Sequence, residues 1–377
     1  MVRHGFCRRI RGDGTIDRRS FLRKSGAIGV AGAALSSPAL SQGRQQLKLV
    51  TSWPRDFPGL GTGAQRIADR ITLTSGGRLE VKLFAAGELV PAFGVHDAVS
   101  SGDAHMYHAA EYYFEKKSRA YNFFTTVPLG LTTKEMNAWV AYGGGQQLWD
   151  ELAGEFGVKA LLAGNTGVQM GGWFREPIKS MDDMQGLKIR MPGLGGEALR
   201  QIGADAISLP GGEIFDAVQS GKIDATEWVG PYNDLAFGIQ KLLKTYMYPG
   251  FHEPGTVTAL GINLAWWNSL TESDRTLITA CAEAENDFMV AEYNANNGFS
   301  LRELTFEHDV VLEAFPQEVW SQIAKVGDQV VADVAREDLT SAKIYASYKK
   351  FRKFVAGWSE ISDQAYLRAR ADALGHV

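Results

Sequence analysis

Cysteine is almost missing from this chain. Its 377 residues contain two, Cys7 and Cys281. Cys7 lies in an N-terminal segment that reads as a cleavable leader. Cys281 then stands alone, which excludes an intramolecular disulfide framework and a cysteine-based metal site. Long apolar runs are missing too. Beyond residue 41 nothing approaches the roughly 18 apolar residues of a membrane-spanning helix, so a soluble mature protein is expected. The usual signatures of covalent or phosphate chemistry are also absent: no Gly-x-Ser-x-Gly elbow, no His-Glu-x-x-His and no P-loop. Histidine is sparse, at seven residues. His105 and His108 come nearest to a metal pair, but on a strand they face opposite sides and are not joint ligands. Positive charge is short as well. The net charge is −4, yet residues 1–41 hold eight basic and two acidic side chains. The remainder carries 31 basic against 41 acidic side chains, or −10. A body that acidic is not a nucleic-acid binder.

What is present begins with that leader. Asp17-Arg18-Arg19-Ser20-Phe21-Leu22-Arg23-Lys24 precedes a short, moderately apolar run from Gly26 to Leu35. Ser36-Ser37-Pro38-Ala39-Leu40-Ser41 follows, with small residues placed for cleavage after Ser41. The paired arginines before Ser-Phe-Leu resemble a twin-arginine export signal, which implies a periplasmic protein.

From Leu47 onward strand and helix periodicities alternate. Leu47–Ser52 and Leu79–Phe84 read as strands, and Ala64–Leu73 has apolar positions 64, 67, 68 and 71 on one helical face. A helix is expected over 134–156, interrupted at Gly143-Gly144-Gly145. Strands are expected over 168–174, 187–191, 205–209 and 223–228, with helices over 196–202 and 212–220. An apolar strand returns at 256–265, and mostly helix follows from 271. This is an α/β pattern. One motif recurs. Asp97-Ala98-Val99-Ser100-Ser101-Gly102-Asp103-Ala104 is echoed 119 residues later by Asp216-Ala217-Val218-Gln219-Ser220-Gly221-Lys222-Ile223-Asp224-Ala225. Each reads as a helix end, a glycine cap and an entering strand. The echo predicts two lobes on similar plans with a cleft between them, a clamshell. Gly59-Leu60-Gly61-Thr62-Gly63-Ala64 fits a dinucleotide fingerprint, but Trp53–Pro58 separates it from the preceding strand. A Rossmann turn needs its glycines directly after the strand, so the stretch reads as a lead-in to the first helix.

Gly186-Leu187-Lys188-Ile189-Arg190, Leu209-Pro210-Gly211-Gly212-Glu213, Asp224-Ala225-Thr226-Glu227-Trp228 and Pro249-Gly250-Phe251-His252-Glu253-Pro254 carry a resemblance. From Leu47 to about Trp358 the chain resembles the solute-binding subunits of tripartite ATP-independent periplasmic (TRAP) transporters. It looks closest to the branch that binds α-keto and α-hydroxy acids. The resemblance implies a two-lobe periplasmic binding fold with hinge-linked domains and a long C-terminal helical tail. The expected division is a leader over 1–41, a first lobe over 42–165, and mainly the second lobe over 166–254. Crossing segments over 255–330 complete both lobes, and the tail covers 331–377.

Arg190 ends a strand before Pro192-Gly193, where its planar fork suits a carboxylate. The family arginine of this motif pairs with the substrate carboxylate, and Arg190 matches it. Glu227 and Trp228 are implied as cation ligands, the first through its carboxylate and the second through its backbone carbonyl. Hard cations such as Na⁺ or Ca²⁺ take such oxygens. Gln169 matches a family glutamine that reaches both cation and substrate, its amide oxygen on the metal and its NH₂ on a substrate oxygen. Glu253 matches a further acidic position near the site, on the cation or on the substrate, and Gln169, Arg190, Trp228 and Glu253 are the implied substrate-binding set. Trp173, Phe215, Tyr112, Tyr113 and Phe251 are candidates for an apolar lining. Glu227-Trp228 departs from the sialic-acid-binding branch and favours a small acid bridged by a metal.

The function implied is capture of a small 2-oxo or 2-hydroxy acid, with a bridging cation, for delivery to TRAP membrane permease subunits. No enzymatic activity is expected. The rival readings are an exported metal-dependent enzyme acting on a keto acid and the binding protein of an ATP-driven transporter. After about Val330, apolar residues such as Ile344, Tyr348, Phe351 and Phe354 keep helical spacing over 342–355 and 359–373. Such a tail must fold back on its own lobes or lie on a partner. The keto-acid branch exchanges a tail of this kind, which implies a homodimer.

Overall fold

A computed structural model describes residues 43–375, so the expected twin-arginine leader over 1–41 lies outside the described residues. In chain order the first elements are β1 (Gln45–Thr51), α1 (Leu60–Thr74), β2 (Leu79–Phe84), α2 (Val95–Ser101), β3 (Met106–Ala109), α3 (Asn122–Thr125), α4 (Thr133–Tyr142), α5 (Gly145–Glu155) and β4 (Val158–Asn165). There follow β5 (Gly172–Phe174), β6 (Lys188–Arg190), α6 (Gly193–Gln201), β7 (Asp205–Ile207), α7 (Gly211–Gln219), β8 (Ala225–Thr226), α8 (Pro231–Phe237) and β9 (Thr245–Tyr248). The chain ends with β10 (Val257–Asn263), α9 (Leu264–Ser269), α10 (Glu272–Glu307), β11 (Val311–Ala314), α11 (Gln317–Val334), α12 (Leu339–Ser359) and α13 (Ala365–Leu374).

These strands form two sheets built on one plan. The first has the order β2-β1-β3-β10-β4, the second β11-β9-β5-β8-β6-β7. In each, three parallel strands are followed by one antiparallel strand and then by a strand that runs with the first three; in the second sheet β11 adds a sixth strand parallel to β9. The antiparallel strand comes from the other half of the chain: β10 follows β9 out of the second sheet, and β5 follows β4 out of the first. α10 leads from β10 in the first sheet to β11 in the second, and two shorter segments also cross between the lobes, 166–171 and 249–256. They are tied to each other by Thr166 N–H to Thr256 O (3.1 Å), Gln169 N–H to Glu253 O (3.1 Å) and Gly250 N–H to Gln169 O (3.0 Å).

The repeated motif is the same structure twice. Gly102 donates to Val99 O (3.1 Å) and Ala104 to Ala98 O (2.9 Å), while Gly221 donates to Val218 O (3.2 Å) and Ile223 to Ala217 O (3.2 Å). Both glycines take positive φ, 88° and 74°, where a Cβ is disfavoured. Each turn delivers the chain into an inner strand, β3 or β8.

α1 buries Leu60, Ala64, Ile67, Ala68 and Ile71, the face its periodicity predicts. Its glycines serve packing: a Cβ on Gly63 would sit 2.6 Å from Met289 Cε on α10. The helix expected over 134–156 is two helices, α4 and α5, parted at Gly143-Gly144. Strands expected over 168–174 and 223–228 are shorter, because residues 166–171 and 227–229 leave the ladders and bond to crossing segments and side chains. Cys281 is buried. Among the described residues no helix is long and apolar enough to cross a membrane.

The tail divides in two. α12 folds back: Ile344 and Tyr348 are buried against Phe123 and Trp139, and Tyr348 Oη accepts from Leu131 N–H at 2.7 Å. Beyond it Phe354 is 82% exposed, Trp358 67% and Ile361 70%, and α13 leaves Tyr366, Leu367 and Leu374 in solvent.

One buried acid of the first lobe has a measurable consequence. Glu111 accepts from Tyr107 Oη on one oxygen and from Trp149 Nε1–H on the other (2.7 Å). Burial pushes its carboxyl up to about 7 from 4.5, against the pull of those two donors. A folded-state value above the unfolded one means stability is held at low pH and lost as pH rises through about 7. At ~1.4 kcal/mol per unit, up to about 3 kcal/mol is at stake. Glu111→Gln does not titrate and keeps an acceptor for Trp149. Urea melts should therefore show the variant gaining about 2–3 kcal/mol on the parent between pH 5 and pH 8. A pH-independent difference would reject an ionising Glu111.

Candidate functional site

The ends of β6 and β8 and the two crossing segments converge between the lobes. Arg190 closes β6, and Glu227 follows β8 directly; each is only 1% exposed. Glu227 N–H donates to Arg190 O at 3.1 Å, which holds the two strand ends in register. The Arg190 guanidinium is placed by three acceptors. Its Nε–H donates to Leu209 O (3.2 Å), and its Nη1 donates to Glu227 O (2.9 Å) and to the Glu227 carboxylate. Its Nη2 is buried and has no hydrogen-bond partner among the described residues. Burial works against the guanidinium charge, but Glu227 and the surrounding acids outweigh it and hold Arg190 charged. The indole of Trp228 packs beneath the guanidinium, at 5.1 Å from centroid to Cζ.

The full fork expected for a carboxylate is thus half committed in this structure: one arm is on Glu227, the other is open. Glu227 is paired on both sides. Its second oxygen lies 3.1 Å from His252 Nε2. Burial disfavours the charged imidazole, but the attraction of Glu227 and Glu253 prevails, so His252 is raised above its ordinary value. Its Nδ1 is buried without a partner.

The crossing segments bring Gln169 and Glu253 to the same place. The Gln169 NH₂ donates to Thr166 Oγ1 (3.0 Å) and Thr256 Oγ1 (2.9 Å). Those hydroxyls spend their own protons on Gly167 O and on the Glu253 carboxylate, so both must accept from the amide nitrogen. The network fixes the amide orientation and leaves Gln169 Oε1 buried with no partner. The NH₂ is therefore not free for a substrate; the oxygen is. Burial, and next the charge of Glu227, push Glu253 up to about 7.

Among the described residues Glu227, His252 and Glu253 each offer an atom within 4.8 Å of the others. With Gln169 Oε1 alongside, the oxygens of this set, two carboxylates and an amide, suit a hard, oxygen-seeking cation, while His252 partners Glu227. His252 was not singled out in the sequence, although it sits beside Glu253 in the crossing segment. His105 and His108 have separate hydrogen-bond partners. His105 Nδ1 accepts from Lys48 N–H (3.1 Å), and His108 bonds Trp53 Nε1 (2.9 Å) and Ala163 O (3.2 Å).

Beside this cluster lies a small cavity, about 240 Å³ of atom-free space counting the part that opens to solvent. Trp53, Tyr112 and Tyr113 line it from the first lobe, Trp228 and Val229 from the second, and Thr166, Gln169 and Thr256 from the crossings. Trp228 Nε1 is buried and unpartnered. Burial is the main cause of a raised Tyr112 and of Tyr113 held up to about 12, so both phenols remain protonated. The other three candidate aromatics lie elsewhere. Trp173 stacks on Tyr246 at 4.0 Å, Phe251 packs with Phe315 and Trp320, and Phe215 is half-buried on α7.

Residues 50–338 match the family model described as bacterial extracellular solute-binding protein, family 7. A monocarboxylate 2-oxoacid-binding periplasmic protein of a Nostoc species is 38% identical over 319 residues, 85% of this chain and 87% of that protein. Two crystal structures of similar proteins add ligands. A TRAP transporter solute-binding protein from Bordetella bronchiseptica, a mixed-occupancy dimer with copurified calcium and picolinate, superposes with a TM-score of 0.86 at 32% identity. It covers 88% of this chain and 98% of its own. A TRAP periplasmic solute-binding protein from Pseudoalteromonas atlantica with bound sodium and pyruvate gives 0.83 at 36% identity, over 86% and 99% of the two chains.

Proposed function

We propose, from the premise that this chain belongs to the family 7 bacterial extracellular solute-binding proteins, a specific division of labour within its cleft. The protein is a periplasmic solute-binding subunit of a TRAP transporter that takes a small carboxylate together with a bridging cation. Arg190 Nη2 receives the ligand carboxylate. Glu227, the Trp228 carbonyl, Gln169 Oε1 and Glu253 form the cation side. A 2-oxo or 2-hydroxy acid fits because it offers a second oxygen next to its carboxylate, and the cation, when bound, neutralises the charge the acid brings. The observation that carries this reading is the pair of buried, partnerless atoms facing different chemistry: a donor on Arg190 and an acceptor on Gln169. Native proteins rarely leave such atoms orphaned unless a ligand completes them. The small cavity favours a short acid over a sugar acid.

A thermal-shift screen of mono- and dicarboxylates, with and without Na⁺ or Ca²⁺, tests the assignment. Short 2-oxo acids should raise the melting temperature only when a cation is present. Equal stabilisation by acids lacking the second oxygen would overturn it. The rival reading, a keto-acid enzyme, requires consumption of pyruvate over hours in the same samples, and none is expected. The finer localisation, export through the twin-arginine leader, is tested by Arg18→Lys/Arg19→Lys, which should strand the protein in the cytoplasm.

The assembly proposed is a two-fold dimer in which the distal tail of one protomer covers its partner. Phe354, Trp358 and Ile361 support it as an apolar stripe left exposed among the described residues, and the Bordetella relative is a dimer. Truncation must spare the part of α12 that packs on its own body, Tyr348 included. A chain ending at Gly357 should be monomeric by light scattering and still bind ligand. A truncated dimer would place the interface elsewhere.

A further inference from the structure

The strongest observation outside the ligand shell is Asp234, on α8. It is 1% exposed, and no basic side chain is among its hydrogen-bond partners. Its Oδ1 accepts from the backbone N–H of Val229 (3.1 Å) and Gly230 (3.2 Å). Its Oδ2 accepts from Trp173 Nε1–H (2.8 Å) on β5 and Tyr246 Oη–H (2.6 Å) on β9. The carboxylate is thus anchored to two neighbouring strands of the second sheet and grips the loop that follows β8.

The Val229 N–H belongs to the peptide group whose carbonyl is that of Trp228. A trans peptide is planar, with N–H and C=O pointing in opposite directions. An anchored acceptor on the N–H therefore fixes the direction of the Trp228 carbonyl. A hydrogen bond to a carboxylate also polarises the peptide and makes its oxygen a better cation ligand. The next peptide is pinned as well: Gly230 N–H goes to Asp234, and the Val229 carbonyl accepts from Met170 N–H at 3.1 Å, one residue from Gln169.

We propose that Asp234 is the positioning residue for the cation half of the site, aiming and polarising the Trp228 carbonyl through the Val229 amide. This rests on the reading of that carbonyl as a cation ligand. Partners that orient ligands in this way typically change metal affinity about 10- to 100-fold when removed.

The test is a titration of pyruvate binding against Na⁺, and separately Ca²⁺, by calorimetry on the mature protein. Asp234→Ala should raise the half-saturating cation concentration by about 10-fold or more, while pyruvate affinity at saturating cation stays close to that of the parent. Tyr246→Phe removes one anchor but keeps the grip on Val229. It should lower the melting temperature and leave the cation requirement unmoved, which a merely structural role for Asp234 does not predict. If Asp234→Ala does not fold, Asp234→Asn decides: it keeps a neutral acceptor, and a smaller rise in the same direction is expected. An Asp234 variant with the parent's half-saturation overturns the inference, and so does Tyr246→Phe matching its shift. Cation-independent binding by the parent protein would instead sink the reading of the site itself.

Discussion

Exchange of Arg190 for lysine is expected to cut the affinity for a 2-oxo acid by at least about 30-fold while the protein still folds. Losing a buried charge-assisted contact costs about 2–5 kcal/mol, and each ~1.4 kcal/mol is tenfold. The guanidinium does three things at once. It reaches Leu209 O with Nε, holds Glu227 with Nη1, and leaves Nη2 in reserve. An ammonium is a point charge on a flexible stem. Drawn to Glu227, it has no second, rigidly held arm for the ligand. Lysine is the informative substitution because it keeps Glu227 paired. Glutamine would leave a buried carboxylate without its main counter-charge, at roughly 3–5 kcal/mol of stability, and would confuse unfolding with lost binding. Calorimetry that finds unchanged affinity for Arg190→Lys would remove Arg190 from the ligand site.

Withdrawal of Na⁺ and Ca²⁺ by exchange into a chelated, sodium-free buffer should abolish stabilisation by the acid, and adding back either ion should restore it. Arg190 already answers Glu227. A carboxylate ligand brings a further negative charge beside Glu253, in a place with almost no water contact. A buried anion without a partner costs several kcal/mol, and Arg190 cannot serve two carboxylates in full. A cation held by Glu227 and Gln169 Oε1 supplies the missing charge. A ligand at about 100 times its dissociation constant adds about 2.7 kcal/mol of stability, so the difference between buffers is readily read in a melt. Full acid-induced stabilisation in chelated buffer would show that Arg190 and His252 suffice.

The placing of several parts was legible in the sequence, while the roles of Arg190 and Glu227 came from the family resemblance. Arg190 and Glu227 stand at strand ends beside glycine- and proline-marked turns, where periodicity stops and a side chain is delivered to an edge. The echo around Gly102 and Gly221 is local, so it announces two similar lobes. His252 was not legible: a single histidine in an irregular segment carries no period, and its role depends on Glu227, 25 residues away. Asp234 is hidden for the same reason, since its anchors Trp173 and Tyr246 are neighbours only across the sheet. The strand expected to reach Trp228 stops at Thr226 because the next peptides turn to Arg190, Met170 and Asp234. In the tail, helical spacing identifies apolar faces but cannot say that Tyr348 is covered by its own body while Trp358 is not.

The exchange of β5 and β10 between the sheets gives the ligand shell parts of different origin. Gln169, Glu253 and Thr256 lie on the two segments, 166–171 and 249–256, that cross between the lobes and bond to each other. Glu227 and Trp228 follow β8 in the second sheet, while Trp53 and Tyr113 belong to the first lobe. The oxygen donors are thus held by the second lobe and the crossings, and the expected order of arrival is ion first and acid second. Stopped-flow binding at rising Na⁺ checks it: the rate of acid capture should climb with the ion and level off, so that external salt sets the pace of uptake, and a rate independent of the ion would reject the order.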